Sequence, residues 1–428
     1  MKKYLLLAIL TLALIALAAC GGGTPAPAPT PEAPPAATPE APPAPAPAPV
    51  IEVTPDAEPI VLRVGESLGD TEDFIVEAGR LFTERYPHIT VEFVNVEVGQ
   101  AHTQMALDGP AGIGPDLFAA PHDQLGSLVA GGLVLPARDI ADVRNQILGS
   151  TYLAASANGV LFGYPLSAET YAIFYNRDLI SSSEVPTTFD ELVEWTTAFN
   201  DANPGYHGFL FEPGNAYYTI IFMGGDGNRL FGPHGTDASS PNLNTPAAIA
   251  GMEFMLSLRP ILDAPAGDIN TGFVDGAFAA GNAAMLLTGP WNINPFSVDA
   301  GINLGIAPIP ALPGEATPPA SFMGARMMFV SAFTHHPEEA HAFGLFLISE
   351  EIQRLRHEMT GTIPSIPMDI DSPYFPALLY QLDYAIPMPS IPEMGAFWNS
   401  MPAASANIWD GEDIVEQLNM AQEAVLGN

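Results

Sequence analysis

From Gly21 to about Pro59 the chain alternates Ala and Pro with scattered Glu, a composition with no apolar periodicity from which to build a core. Whatever folds must come from the roughly 370 residues that follow. The Ala/Pro run favours polyproline II at about 3.1 Å per residue, so some 36 residues would act as a tether reaching roughly 100 Å or less. The remaining length exceeds what one small core needs and shows no recurring period of roughly 20 to 50 residues, which predicts two lobes.

Ahead of the tether, Lys2 and Lys3 precede an apolar run from Tyr4 to Leu17 that closes in Leu17-Ala18-Ala19-Cys20. A basic start, a short apolar stretch and small residues read as a signal peptide over 1–19, too short to span a bilayer. Cys20 is the sole cysteine, which forbids an intramolecular disulfide. The Leu-Ala-Ala-Cys end resembles the lipobox of bacterial lipoproteins. That resemblance implies diacylglycerol on the Cys20 sulfur, Cys20 as mature N-terminus, and a lipidated tether over 20–59 at the outer face of the cell membrane. Buried acyl chains hold at about 0.8 kcal/mol per CH₂.

The chain carries 13 basic against 48 acidic residues, and Lys2 and Lys3 are its lysines. Without the leader, arginine is the basic residue of the chain apart from histidine. Nucleic acid and anionic lipid surfaces are unsuitable partners for such a balance.

Beyond the tether, Ile60, Leu62 and Val64 alternate as in a half-buried strand, and the segment from Asp70 places Phe74, Ala78, Leu81 and Phe82 on one helical face. Ile89, Val91 and Phe93 alternate again, which predicts a second strand parallel to the first. Gly114-Pro115-Asp116 turns into a further strand. Thr188 with Glu191 forms a capping box, Thr245-Pro246 opens a helix that stops at Pro260, and Pro337 opens another through Leu347. A last helix begins after Asp410 or Gly411. Strands and helices alternate throughout, so the class is α/β.

Gly65-Glu66-Ser67-Leu68-Gly69 matches G-x-S-x-G between a strand and a helix, but only one strand precedes it, whereas a nucleophile elbow follows several. The alternative for this turn is close approach of a polar ligand to backbone N–H groups. His335, His336 and His341 beside Glu338 and Glu339 lack metal-ligand spacing and read as solvated residues of a helix start; no metal or cofactor is expected. Trp291, in Gly289-Pro290-Trp291, and Trp398, in Gly395-Ala396-Phe397-Trp398, lie in irregular glycine-containing stretches, and Tyr217-Tyr218 follow Glu212-Pro213-Gly214-Asn215. Flat rings beside carboxylates and amides suit sugars, whose C–H faces stack while their hydroxyls need partners. Trp195 has helical core spacing.

Taken in order, Gly114-Pro115-Asp116 with His122-Asp123, Gly163-Tyr164-Pro165 through Glu169 to Tyr175-Asn176, Gly281 to Trp291, and Met388-Pro389-Ser390-Ile391-Pro392 to Trp398 resemble the extracellular solute-binding proteins of ABC importers. The likeness runs from about Val61 to Val425 and leans towards maltose and maltodextrin binders. It implies a two-lobe periplasmic-binding-protein-like fold of type II, with discontinuous lobes, a hinge and a central ligand cleft. Lobe 1 would span 60–167 and 322–372, and lobe 2 171–316 and 377–428, with crossings near Ser167, Phe322 and Pro373. It further implies a monomer that closes on an oligosaccharide and docks on ABC permease subunits.

Carried over by position, Trp291 and Trp398 would be stacking platforms with Tyr217 or Tyr218 as a third. Asp123, Glu169 and Glu212 would accept hydroxyls; Asn215, Arg326, Asp70 and Gln124 complete the set. The chain departs from the maltose binder at Ala120, where that family has a tryptophan platform, and at Gln124, Asn399 and Pro402. The first-lobe sugar-contacting lysine is also absent, so maltose itself does not follow. A receptor for another sugar or small solute, and an esterase using Ser67, are the alternatives.

Overall fold

The computed structural model describes residues 58–138, 151, 154–157 and 160–427; the expected leader, Cys20 and the tether up to residue 57 lie outside the described residues. The described strands in chain order are β1 (Ile60–Glu66), β2 (Ile89–Asn95), β3 (Leu117–Pro121), β4 (Ser156–Ala157), β5 (Val160–Leu161), β6 (Gly163–Glu169), β7 (Ala172–Asn176), β8 (His207–Leu210), β9 (Ala283–Thr288), β10 (Leu304–Ala307), β11 (Phe322–Val330), β12 (Ile363–Pro364) and β13 (Ile386–Pro387). One sheet runs β12-β6-β11-β3-β1-β2 with β13 beside β11, and a second runs β10-β7-β9-β8. The fold is mixed α/β.

The opening unit follows its periodicity. β1 and β2 are parallel from Ile60 opposite Ile89 to Glu66 opposite Asn95, and the helix between them, Asp70–Arg85, buries Phe74, Ala78 and Phe82. β3 joins β1 in parallel, while β11 runs antiparallel between β3 and β6. Each sheet carries its own hydrophobic core. Phe82, Phe118, Phe329 and Phe343 belong to that of the large sheet, and Phe174, Phe209, Phe222 and Trp409 to that of the small one. In the small-sheet core, a Cβ on Gly251 would stand 1.7 Å from the Phe222 carbonyl oxygen, so glycine lets the helices Ala216–Met223 and Pro246–Ser257 touch backbone to backbone.

The chain passes between the sheets with little slack. Only Thr170 and Tyr171 separate β6 of the large sheet from β7 of the small one, and both are tied to the passage that enters β11. The Thr170 hydroxyl donates to the Phe322 carbonyl at 2.9 Å, and the Tyr171 hydroxyl accepts the Phe322 N–H at 3.3 Å. The Ile386 N–H donates to Ser321 O at 2.8 Å, which brings a third passage against the same point. Three connecting segments thus share one hydrogen-bonded seam, a geometry in which small backbone rotations would move one sheet relative to the other.

Several sequence expectations need correction. The Trp398 stretch is not irregular: it lies in the helix Met394–Trp409, which continues through Pro402. The last helix starts at Ile414 behind Asp413, whose side chain accepts the Glu416 N–H, while Asp410 instead accepts the Ala266 N–H and faces Arg259. His341 is buried rather than solvated, with Nδ1 at 2.9 Å from the Tyr164 hydroxyl.

Candidate ligand-binding site

The carboxylates of the large-sheet side arise where its strands end. Asp123 sits in the 3₁₀ turn His122–Gln124 that follows β3, and Glu169 closes β6, where it accepts the Ser167 hydroxyl at 2.9 Å. On the small-sheet side, Glu212 follows the end of β8, Tyr217 and Tyr218 open the helix after it, and Trp291 follows β9. Strand ends are where open α/β sheets leave side chains free to meet a ligand. Gly289 has a specific task here. A Cβ at that position would lie 2.2 Å from the Trp291 ring, so the indole folds back over glycine.

These groups converge. Ring centroids are 6.1 Å apart for Trp291 and Tyr217, 6.1 Å for Tyr217 and Phe322, and 6.0 Å for Phe322 and Trp398, giving a continuous aromatic line. The Trp398 Nε1–H donates to Asp123 Oδ2 at 2.6 Å and so joins a small-sheet helix to a large-sheet turn. The Tyr217 hydroxyl is pushed well above its ordinary pKa, first by burial and then by nearby charges that include Glu169 and Asp123. Behind the line, Glu212 accepts the Thr271 hydroxyl at 2.9 Å, and Asn292 donates to Asp275 at 3.1 Å and to Thr288 at 3.0 Å. Burial raises both carboxylates, and the charge of Asp275 raises Glu212 further.

Three of the sequence candidates, Asn215, Gln124 and Arg326, have side chains already engaged within the protein. Asn215 caps the Tyr217 helix by accepting the Tyr217 N–H at 3.1 Å. Gln124 accepts the His102 N–H and donates to the Val98 and Gly99 carbonyls, which ties the site turn to the neighbouring loop. Arg326 forms an ion pair with the fully buried Glu66. Asp70 starts the first helix, where burial and the charge of Asp299 raise its pKa. Phe322, expected only as a lobe crossing, and Asp275, Asn292 and Thr271 were not foreseen at the site. The apolar Phe322 resembles any core residue, and the three polar ones lie far apart in sequence without a motif.

Residues 65–354 match the family model for bacterial extracellular solute-binding protein. This chain belongs to the bacterial extracellular solute-binding proteins. It is 30% identical over 357 residues to a galactooligosaccharide-binding protein of Bacillus subtilis (strain 168), covering 80% of this chain and 84% of that one. It is 30% identical over 354 residues to a maltotriose-binding protein of Pyrococcus abyssi (strain GE5 / Orsay), covering 79% and 76%. The crystal structure of a cyclo/maltodextrin-binding protein complexed with maltotetraose superposes with a TM-score of 0.72 at 32% identity, covering 87% of this chain and 98% of that one.

As a solute-binding protein it is a receptor rather than an enzyme, and Ser67 is placed accordingly. Its Oγ accepts the Val98 N–H at 3.1 Å and an Arg326 N–H at 3.3 Å, so the G-x-S-x-G match is a strand end held by a loop. The receptor also has a cavity of about 500 Å³ bounded by His122, Phe322, Arg229, His234 and Met388. That cavity shares Phe322 with the aromatic line but none of its indoles or carboxylates.

Burial raises the Asp123 carboxyl from 3.8 to about 6, and the Trp398 N–H pulls in the opposite direction by stabilising the anion. Because the folded-state value lies above the ordinary one, ionising Asp123 removes stability as pH rises through that window. Below about pH 6 Asp123 in the folded protein is neutral and its bond to the indole weakens. The Trp398 indole NMR resonance should therefore titrate with a midpoint near pH 6 and become pH-independent there in Asp123→Asn. A resonance unchanged between pH 5 and 7 would contradict the assigned bond.

Proposed function

We propose that this receptor captures an oligosaccharide, of the maltodextrin-type α-glucan class, and delivers it to the permease subunits of an ABC importer. The observation that carries this reading is the set of part-exposed rings Trp291, Tyr217 and Trp398, joined by the buried Phe322 and set beside Asp123 and Glu169. Rings offer faces for sugar C–H groups, and carboxylates accept the hydroxyls. The solved relative that holds maltotetraose supports the same ligand class. Arg326 is consumed by Glu66 and so is not free to pair with an anionic solute.

In this reading the large-sheet lobe comprises 60–167 and 322–372, the small-sheet lobe 171–316 and 377–428, and the seam at Thr170, Phe322 and Ile386 is the hinge. Ligand favours the closed state by touching both lobes at once. Cys20 carries the lipid that holds the receptor at the outer membrane face. Cys20→Ala expressed in a bacterium that lipidates lipoproteins should lose incorporation of labelled palmitate and be released into the medium; continued labelling would exclude Cys20.

A second reading, a galactooligosaccharide as ligand, is favoured by the Bacillus subtilis relative. Titration calorimetry of the chain lacking residues 1–58 against maltose, maltotriose, maltotetraose and cyclodextrin, beside galactobiose and galactotriose, separates the two. Dissociation constants near micromolar, about −8 kcal/mol, for the α-glucans alone support the first reading. The same affinity for the β-galactosides alone replaces it with the second.

A further inference from the structure

His122 stands where three chain segments meet, and its ring is buried. The Ala325 N–H in β11 donates to Nδ1 at 3.1 Å, so Nδ1 carries no proton. The ring proton is then on Nε2, 3.0 Å from the Met388 carbonyl oxygen, to which it donates. Only the neutral Nε2–H tautomer satisfies both bonds. Burial pushes the pKa down to about 4, which keeps the ring neutral in ordinary conditions. With both nitrogens spent inside the protein, the ring has no polar atom left for a ligand hydroxyl.

The next residue gives this arrangement its consequence. Asp123 accepts the Trp398 indole N–H, and Trp398 follows Met388 by ten residues along the same passage. A second contact reinforces the first: a Cβ on Gly126 would fall 2.1 Å from the Ser390 carbonyl oxygen, so the start of the helix Leu125–Ala130, just after the His122 turn, lies flush on the Ser390–Pro392 backbone. The imidazole thus fixes the chain before Trp398 to the chain that carries Asp123.

We propose that His122 is a positioning residue that sets where the Trp398 indole stands relative to Asp123 and thereby tunes the affinity of the site. The affinity arm rests on the saccharide reading; the spectroscopic arm does not, because it is read without ligand.

The experiment follows the Trp398 indole ¹H–¹⁵N resonance, assigned through its loss in Trp398→Phe, in sugar-free protein. His122→Phe keeps a ring of similar shape but removes both hydrogen bonds. Phe343→Leu, in the large-sheet core, is the stability control. His122→Phe should move the indole resonance upfield, speed its exchange with water and weaken saccharide binding about tenfold. The control should leave the resonance in place. Equal movement in the control, or an unmoved resonance in His122→Phe, overturns the proposal.

Should His122→Phe fail to fold, the wild-type long-range ¹H–¹⁵N spectrum of His122 decides. A neutral Nε2–H tautomer throughout pH 5 to 8 supports the clamp, and an Nδ1–H or charged ring overturns it. A moved resonance in a protein that binds none of the sugars would uphold the positioning role and refute the saccharide reading instead.

Discussion

Replacing Trp398 by alanine should weaken saccharide binding by about ten- to a hundredfold, the loss expected when a stacking ring leaves a site centre. Two effects act together. The ring contributes apolar area in line with Phe322, and its N–H is a donor to the buried Asp123 at 2.6 Å. Removing the indole strips the carboxylate of that partner, and an unsatisfied buried acceptor costs about 1–3 kcal/mol. Trp398→Phe separates the contributions, because phenylalanine keeps most of the ring and none of the N–H. It should fall between wild type and Trp398→Ala. Calorimetric titration with maltotetraose and galactotriose is the measurement, and affinities within twofold of wild type for both variants would remove Trp398 from the site.

The same residue shows where a sequence can be read and where it cannot. Local rules were legible. The alternation of Ile60, Leu62 and Val64 gave a strand, and Thr188 with Glu191 gave a capping box whose Thr188 Oγ accepts the Glu191 N–H at 3.2 Å. Gly289-Pro290-Trp291 stood out as a glycine-containing stretch, and the glycine is required by the indole itself. Trp398 looked irregular because glycine and Pro402 weaken the helical pattern of Met394–Trp409, which is held by packing against the small-sheet core. Asp275 was invisible for another reason. One carboxylate on a short helix carries no signal until Asn292 and Glu212, distant in sequence, are placed beside it. The role of His122 depends on partners more than 200 residues away.

Long-range register also creates the feature whose loss should most damage the fold. Glu66 ends β1 and is fully buried, Arg326 lies on β11 with β3 between them, and the two form an ion pair. Close by, Arg356 is buried with its guanidinium 4.9 Å from the Phe74 ring centre, and none of its nitrogens has a hydrogen-bond partner. Burial lowers its pKa to about 10, and the charge of Glu66 opposes that shift. Glu66 therefore balances two arginines. Breaking a buried pair by removing one partner costs about 3–5 kcal/mol, because the survivor remains charged without water. The two single variants should differ in a definite direction. Arg326→Met leaves Glu66 facing Arg356, whereas Glu66→Gln leaves two arginines with only the weaker charge of Glu169 acting on both, so Glu66→Gln should be the more destabilising. Glu66→Gln with Arg326→Met removes one of the two arginines and should be more stable than Glu66→Gln alone. Urea midpoints at low and high salt test this, and the differences should persist in salt because buried charges are weakly screened. Glu66→Gln and Arg326→Met each within about 1 kcal/mol of wild type, the range of an exposed pair, would mean that water already solvates this cluster.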